Sequence, residues 1–121
     1  MVEDDFDSAE ALEGILQHAG YGVRLAFTAI EARAVALDYL PSIALIDIGL
    51  PVVSGYEVAA TLRDQVERCR LIAMTGYVGS EMIERSLSAG FEAHLTKPLE
   101  LPRLFELLAR RDPAPRPARH D

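Results

Sequence analysis

Ile43–Val58 reads IALIDIGLPVVSGYEV. Its first five residues are an apolar run that closes on an acid, Asp47. A strand apolar at successive positions suits a parallel sheet buried on both faces. Ser54, with Glu57 three residues later, then carries the reciprocal capping pattern, in which each side chain satisfies a backbone N–H left open at the start of a helix. Tyr56, Ala59 and Leu62 follow on one helical face. The stretch predicts a strand, an acid at its C-terminal end, a loop and a helix.

The same unit recurs outward in both directions. Gly22–Ala26, Arg70–Met74 and Ala93–Thr96 are further candidate strands. Asp7 with Glu10 and Thr28 with Glu31 repeat the capping pattern, and Ser80 is a candidate cap for a helix bearing Ile83 and Leu87. Leu12, Ile15, Leu16 and Ala19 share one face of the first helix. Pro102 suits the first turn of a last helix carrying Leu104, Phe105, Leu107 and Leu108. Gly20 and Gly90 stand where helices should stop. Alternating strands and helices predict an α/β fold, a doubly wound parallel sheet of five strands with five helices. The flavodoxin-like strand order 2-1-3-4-5 is the common choice, and it gathers functional residues at the C-terminal strand ends. The first strand is truncated, because only Met1 and Val2 precede Glu3. A short central strand predicts marginal stability. The domain is expected over residues 1–111, and residues 112–121 (DPAPRPARHD) read as a disordered Pro-rich tail.

Composition narrows the function. The 121 residues are one domain's worth, and half are apolar. Net charge is −7, and residues 1–109 hold 8 bases against 17 acids. That surface would repel a phosphate backbone, so no direct nucleic-acid contact is expected. The single cysteine, Cys69, has no disulfide or metal-knuckle partner, which fits a reducing, cytoplasmic setting. No apolar run is long enough for membrane insertion.

The polar residues at the strand ends carry the chemistry. Glu3, Asp4 and Asp5 close the first strand and Asp47 the third; Thr75 follows the fourth and Lys97 the fifth. Carboxylates gathered at one sheet edge repel unless a cation neutralises them. Hard oxygen ligands with room for water and phosphate suit Mg²⁺. A lysine and a hydroxyl beside them match the oxygens of a transferring phosphoryl group, and an Asp carboxylate is a known nucleophile for it.

With VEDD, LIDIGLPVVSGYEV, IAMTGY and AHLTKP in this order, the chain resembles the response-regulator receiver domains of two-component signalling systems over residues 2–109. The loop and TGY patterns look most similar to receivers fused to hybrid histidine kinases. The resemblance implies that Asp47 is the phosphoacceptor in a phosphorelay, taking its phosphoryl group from a histidine kinase or a histidine phosphotransfer protein. It implies Asp4 as a direct Mg²⁺ ligand, sixteen residues before Gly20, with Glu3 acting through water and the Gly49 carbonyl completing the protein's share. Asp5 is then a neighbour. Lys97 would pair with a phosphoryl oxygen, ahead of a cis Lys97–Pro98 bond, and Thr75 would hydrogen-bond another. Thr75 and His94, which stands at the family's usual aromatic position, would form the switch to a downstream protein. Gly49 and Tyr77 would tune the lifetime of the phosphorylated state.

Plainer readings exist for each residue. Asp47 could cap the following helix, Lys97 could be a surface lysine, Thr75 an ordinary strand residue, and His94 a partly buried, hydrogen-bonded histidine. Two other functions compete. A pseudo-receiver would bind a partner without phosphorylation. A phosphohydrolase with an aspartyl-phosphate intermediate would usually need a second acid two residues after the nucleophile, and Gly49 stands there. The expectation is therefore no enzyme turnover beyond self-catalysed phosphorylation and slow autodephosphorylation. No output module is recognisable after residue 109, so the expected output is a protein contact.

Overall fold

The computed structural model describes residues 1–48, 55–66, 68–76 and 80–110. The elements run α1 (Phe6–His18), α2 (Ala29–Tyr39), β1 (Ile43–Asp47), α3 (Gly55–Gln65), β2 (Arg70–Thr75), α4 (Ser80–Ala89), β3 (Ala93–Thr96) and α5 (Leu101–Ala109). The three strands are parallel in the order β1-β2-β3. Val2 extends the sheet beyond β1, forming parallel bridges to Ile46 on one side and Ala26 on the other. Across the sheet the sequence is Ala26, Val2, β1, β2, β3, which is the expected 2-1-3-4-5 pattern. The truncation is also as expected, since the first strand is reduced to the bridge at Val2.

The predicted strand at Gly22–Ala26 is a correction. Among its residues only Ala26 pairs. A strand needs a neighbouring backbone at each residue, and Met1 and Val2 reach no further back than Arg24, whose carbonyl accepts from the Met1 ammonium at 2.8 Å.

The core has two layers, one on each sheet face, because alternate strand residues point oppositely. Ile46, Leu71 and Ala73 pack with Ala32 and Ala36 of α2 and Val58, Ala59 and Leu62 of α3. Leu45, Ile72, Met74 and Leu95 pack with Leu12 and Leu16 of α1 and Leu104 and Leu107 of α5. In α1 the buried residues are Ala9, Leu12 and Leu16, while Ile15 and Ala19 of the predicted face are exposed.

Helix boundaries follow the sequence in part. The Thr28 hydroxyl accepts from Glu31 N–H at 3.2 Å, as the capping pattern predicts. Asp7 does not cap α1. It lies inside the first turn, where an acid favours the positive end of the helix dipole, and Asp5 holds the cap position and accepts from the Ser8 hydroxyl at 2.7 Å. Ser80 is the first residue of α4, not a residue before it. Pro102 sits in the first turn of α5. Gly20 and Gly90, at φ of 100° and 99°, end α1 and α4 in the left-handed region, where a Cβ is disfavoured. The predicted cap at Ser54 and the tail 112–121 lie outside the described residues.

Arg70, at the start of β2, anchors the far end of the sheet. Its Nε donates to Glu92 Oε1 at 2.5 Å, and its other nitrogens reach the carbonyls of Leu107 (2.6 Å) and Arg110 (2.8 Å). These donors satisfy carbonyls that the end of α5 leaves open. The pair is almost wholly buried, and removing one member leaves an uncompensated charge. Arg70→Met should therefore cost about 3–5 kcal/mol in urea unfolding, and the double variant Arg70→Met/Glu92→Leu should cost less than that single one.

Burial lowers the Met1 ammonium from 8.0 to about 6, against weaker attraction from Cys69 and Glu13. A folded-state pKa below the unfolded one contributes stability that is present above pH 8 and lost as pH falls towards 6. At roughly 1.36 kcal/mol per unit, denaturant unfolding should show at most about 2.7 kcal/mol more stability at pH 8 than at pH 6. Nα-acetylation should remove that increment.

Candidate functional site

The site forms where the central backbones end. Val2 N–H donates to the Leu45 carbonyl at 2.7 Å, and Asp47 N–H donates to the Val2 carbonyl at 2.9 Å. These two bonds set the register that places Glu3 and Asp4 beside Asp47. Glu3 N–H also donates to the Ala26 carbonyl at 3.1 Å. Glu3 is 3% exposed and Asp47 7%, whereas Asp4 is open to solvent. One carboxylate oxygen from each of Glu3, Asp4 and Asp47 lies within 4.8 Å of the others.

Lys97 enters from the end of β3. Its backbone N–H donates to the Thr75 carbonyl at 2.7 Å, and the Lys97–Pro98 bond is cis. Its Nζ lies 2.6 Å from Glu3 Oε2 and 3.0 Å from Asp47 Oδ2. One ammonium thus bridges the two buried acids. Glu3 Oε1 accepts from the Asp5 N–H at 3.1 Å. Burial nevertheless holds the Glu3 pKa above its usual range, with Asp47 adding to the rise and Lys97 and the Asp5 amide opposing it. Burial also opposes charge on Lys97, but the hydrogen bonds to Glu3 and Asp47 outweigh it, and its pKa lies above the ordinary value.

Thr75 ends β2, is 7% exposed and stands opposite Thr96. The contact that ties it to Lys97 is its main-chain carbonyl. His94 pairs with Ala73 and lies on the sheet face opposite Ala93 and Leu95. Its Nε2 is buried without a hydrogen-bond partner among the described residues, and burial lowers its pKa. The plain reading of His94 as a hydrogen-bonded core histidine therefore fails at Nε2. Gly49 and Tyr77 lie outside the described residues.

Gly55 is a site residue that the motif reading passed over. A Cβ there would collide with the Asp47 carbonyl and the Ile48 Cα. The first residue of α3 must carry no side chain for the helix to sit against the strand end that holds Asp47. A glycine directly after a predicted cap was the available signal.

Chemically, two buried carboxylates and one exposed carboxylate with oxygens this close form a hard anionic cluster. It fits a divalent cation such as Mg²⁺. Lys97 supplies a positive charge beside it.

The chain matches the family model described as response regulator receiver domain over residues 1–109. It is 32% identical over 110 residues to the polar-differentiation response regulator DivK of Brucella ovis, covering 89% of each chain. A CheY-like receiver domain protein from Methanospirillum hungatei JF-1 superposes at a TM-score of 0.82 with 33% identity, over 88% of this chain and 86% of that one. A response regulator from Burkholderia pseudomallei, solved with a phosphorylated aspartic acid, calcium ion and citrate, superposes at 0.81 with 26% identity, over 86% of this chain and 61% of that one.

The bridging ammonium predicts a linked outcome. Lys97→Met leaves Glu3 and Asp47 without their shared counter-charge. The variant should be less stable than the parent at pH 7, and the deficit should shrink on acidification, as Glu3 takes up a proton, or on addition of millimolar Mg²⁺. Thermal melts at pH 5 and pH 7, with and without Mg²⁺, read this directly.

Proposed function

The chain belongs to the response-regulator receiver domains, and from that premise we propose that it accepts a phosphoryl group on Asp47 with Mg²⁺ bound at the neighbouring acids. The observation that carries the proposal is the convergence of Glu3, Asp4 and Asp47 within 4.8 Å, with Lys97 bonded to two of them. The family resemblance makes Asp4 the direct ligand, Glu3 a ligand through water, and the Gly49 carbonyl a further donor. Bound there, the cation would neutralise charge on the transferring oxygens.

The remaining roles fall to the chain's own groups. An Asp47 carboxylate oxygen attacks phosphorus in line, forming a P–O bond as the P–N bond of a donor phosphohistidine breaks. The imidazole leaves with the electron pair of that bond. Lys97 exchanges its contact with Asp47 for one with a phosphoryl oxygen, and the Thr75 hydroxyl donates to another. Water later hydrolyses the acyl phosphate slowly, without turnover of other substrates. Movement of Thr75 and His94 then biases the output face between two states. The upstream partner is a histidine kinase or phosphotransfer protein and the downstream one a protein, in the cytoplasm. Among the described residues no helix is long and apolar enough to cross a membrane.

One observation favours a second reading. Lys97 already pairs with both buried acids and offsets one of their two charges, a partial stand-in for a cation on which a phosphorylation-independent binding module would rely.

Intact mass after incubation with acetyl phosphate and Mg²⁺ separates the two. The proposal expects one phosphoryl adduct that disappears without Mg²⁺ and in Asp47→Asn. A folded wild type with no adduct would establish the binding-module reading instead.

A further inference from the structure

Helix α2 is apolar on its outward side as well as its inward side. Ala32 and Ala36 are buried in the layer that holds Ile46 and the inner face of α3. On the opposite side Ile30 is 80% exposed and Leu37 57%, and Ala34 between them is exposed too. A surface helix of a globular domain ordinarily turns polar residues to that side, and one that is apolar all round is a helix with something on both faces. Single exposed apolar residues are common, but here they share one stripe.

The stripe has the spacing of a coiled-coil seam. Ile30, Ala34 and Leu37 follow one another at four and then three residues, which keeps them in line towards a second helix. Ala34, in the middle, is small and lets two backbones come close. Charges flank the stripe unequally. By helical angle, Arg33 stands on one side and Glu31 and Asp38 on the other. All three are exposed, and among the described residues neither Arg33 nor Asp38 takes part in an ion pair.

We propose that this stripe is the contact face of a twofold dimer, in which the α2 helices of two copies of the chain pack side by side and parallel. The flanking charges select both the occupant and its direction. One flank is basic and the other acidic, so a second copy supplies the complement of each. In an antiparallel pair each flank would meet its own duplicate, Arg33 against Arg33 and acid against acid, which is repulsive. In a parallel pair opposite flanks meet, and a residue of one helix faces the residue five places further on in the other. Arg33 and Asp38 are five apart, so the symmetry forms an Arg33–Asp38 pair twice. The seam is only three turns long and each copy carries a net charge of −7. The dimer is therefore a weak one, dissociating in the micromolar range or above. Helix α2 leaves the C-terminal edge of the sheet after Ala26 and returns the chain to the start of β1. A twofold axis along it leaves both C-terminal edges, and both Asp47 residues, facing the same way.

Sedimentation equilibrium from micromolar to millimolar protein tests the arrangement. The wild-type chain should show a monomer–dimer equilibrium. Leu37→Glu should stay monomeric throughout, and because Leu37 faces outward its melting temperature in dilute solution should match the wild type's. Arg33→Asp alone and Asp38→Arg alone should each raise the dissociation constant about tenfold. The double variant Arg33→Asp/Asp38→Arg should restore it, and mixing the two single variants should restore dimers between them. A wild type that remains monomeric at millimolar concentration would overturn the proposal, as would a dimer that survives Leu37→Glu. Charge variants without effect on the dissociation constant would overturn the parallel pairing. Phosphorylation of Asp47 enters none of these measurements.

Discussion

Four main-chain hydrogen bonds around Val2 hold this molecule together at its centre. Val2 N–H and carbonyl join β1, while Ala26 N–H donates to the Met1 carbonyl and Glu3 N–H to the Ala26 carbonyl. The short segment Met1–Glu3 thus does the lateral work that a strand of several residues does elsewhere. It joins the Ala26 edge to the three-stranded sheet and lets α2 and α3 share a layer with β1. It also fixes where Glu3 and Asp4 emerge. The acids of the site are therefore coupled to the pairing of the shortest element in the sheet.

The electrostatics of the site follow from that placement. Two carboxylates buried this close would force one to take up a proton. Lys97 offsets that by sitting between them, and it reaches them because β3 ends level with β2, with the Thr75 carbonyl holding its backbone. One ammonium against these carboxylates leaves the arrangement net negative. Glu3 keeps a raised pKa in spite of Lys97, mainly through burial. Gly55 is the steric counterpart of this arrangement, because only a residue without Cβ allows α3 to start against the Asp47 carbonyl.

Much of this was legible in the chain. Ile43–Asp47 and Arg70–Met74 are apolar almost throughout because both faces are covered, so their reading as buried parallel strands followed from composition. The Thr28–Glu31 cap, Pro102, Gly20 and Gly90 marked boundaries through local backbone chemistry that needs no tertiary context. The misreadings have local causes too. Asp5 and Asp7 both offer a capping oxygen, and the pattern favoured Asp7 through Glu10, whereas the chain leaving Glu3 turns into the helix at Asp5. Gly22–Ala26 has strand-like residues, but pairing belongs to two backbones, and its neighbour supplies only Met1 and Val2.

The sequence by itself determined the element types apart from the strand read at Gly22–Ala26, the doubly wound order and the identity of the strand-end acids, threonine and lysine. These follow from hydrophobic periodicity, caps and spacing, which are properties of the chain read locally. Only the tertiary structure decided that Lys97 bridges Glu3 and Asp47 rather than one of them. Folding alone likewise set Asp4 as the exposed acid of the cluster, left His94 Nε2 buried without a partner among the described residues, and opened a gap beside β1. Those outcomes depend on how far apart chain-distant atoms finish and on how much water is excluded between them, and both are set when the two layers close on the sheet.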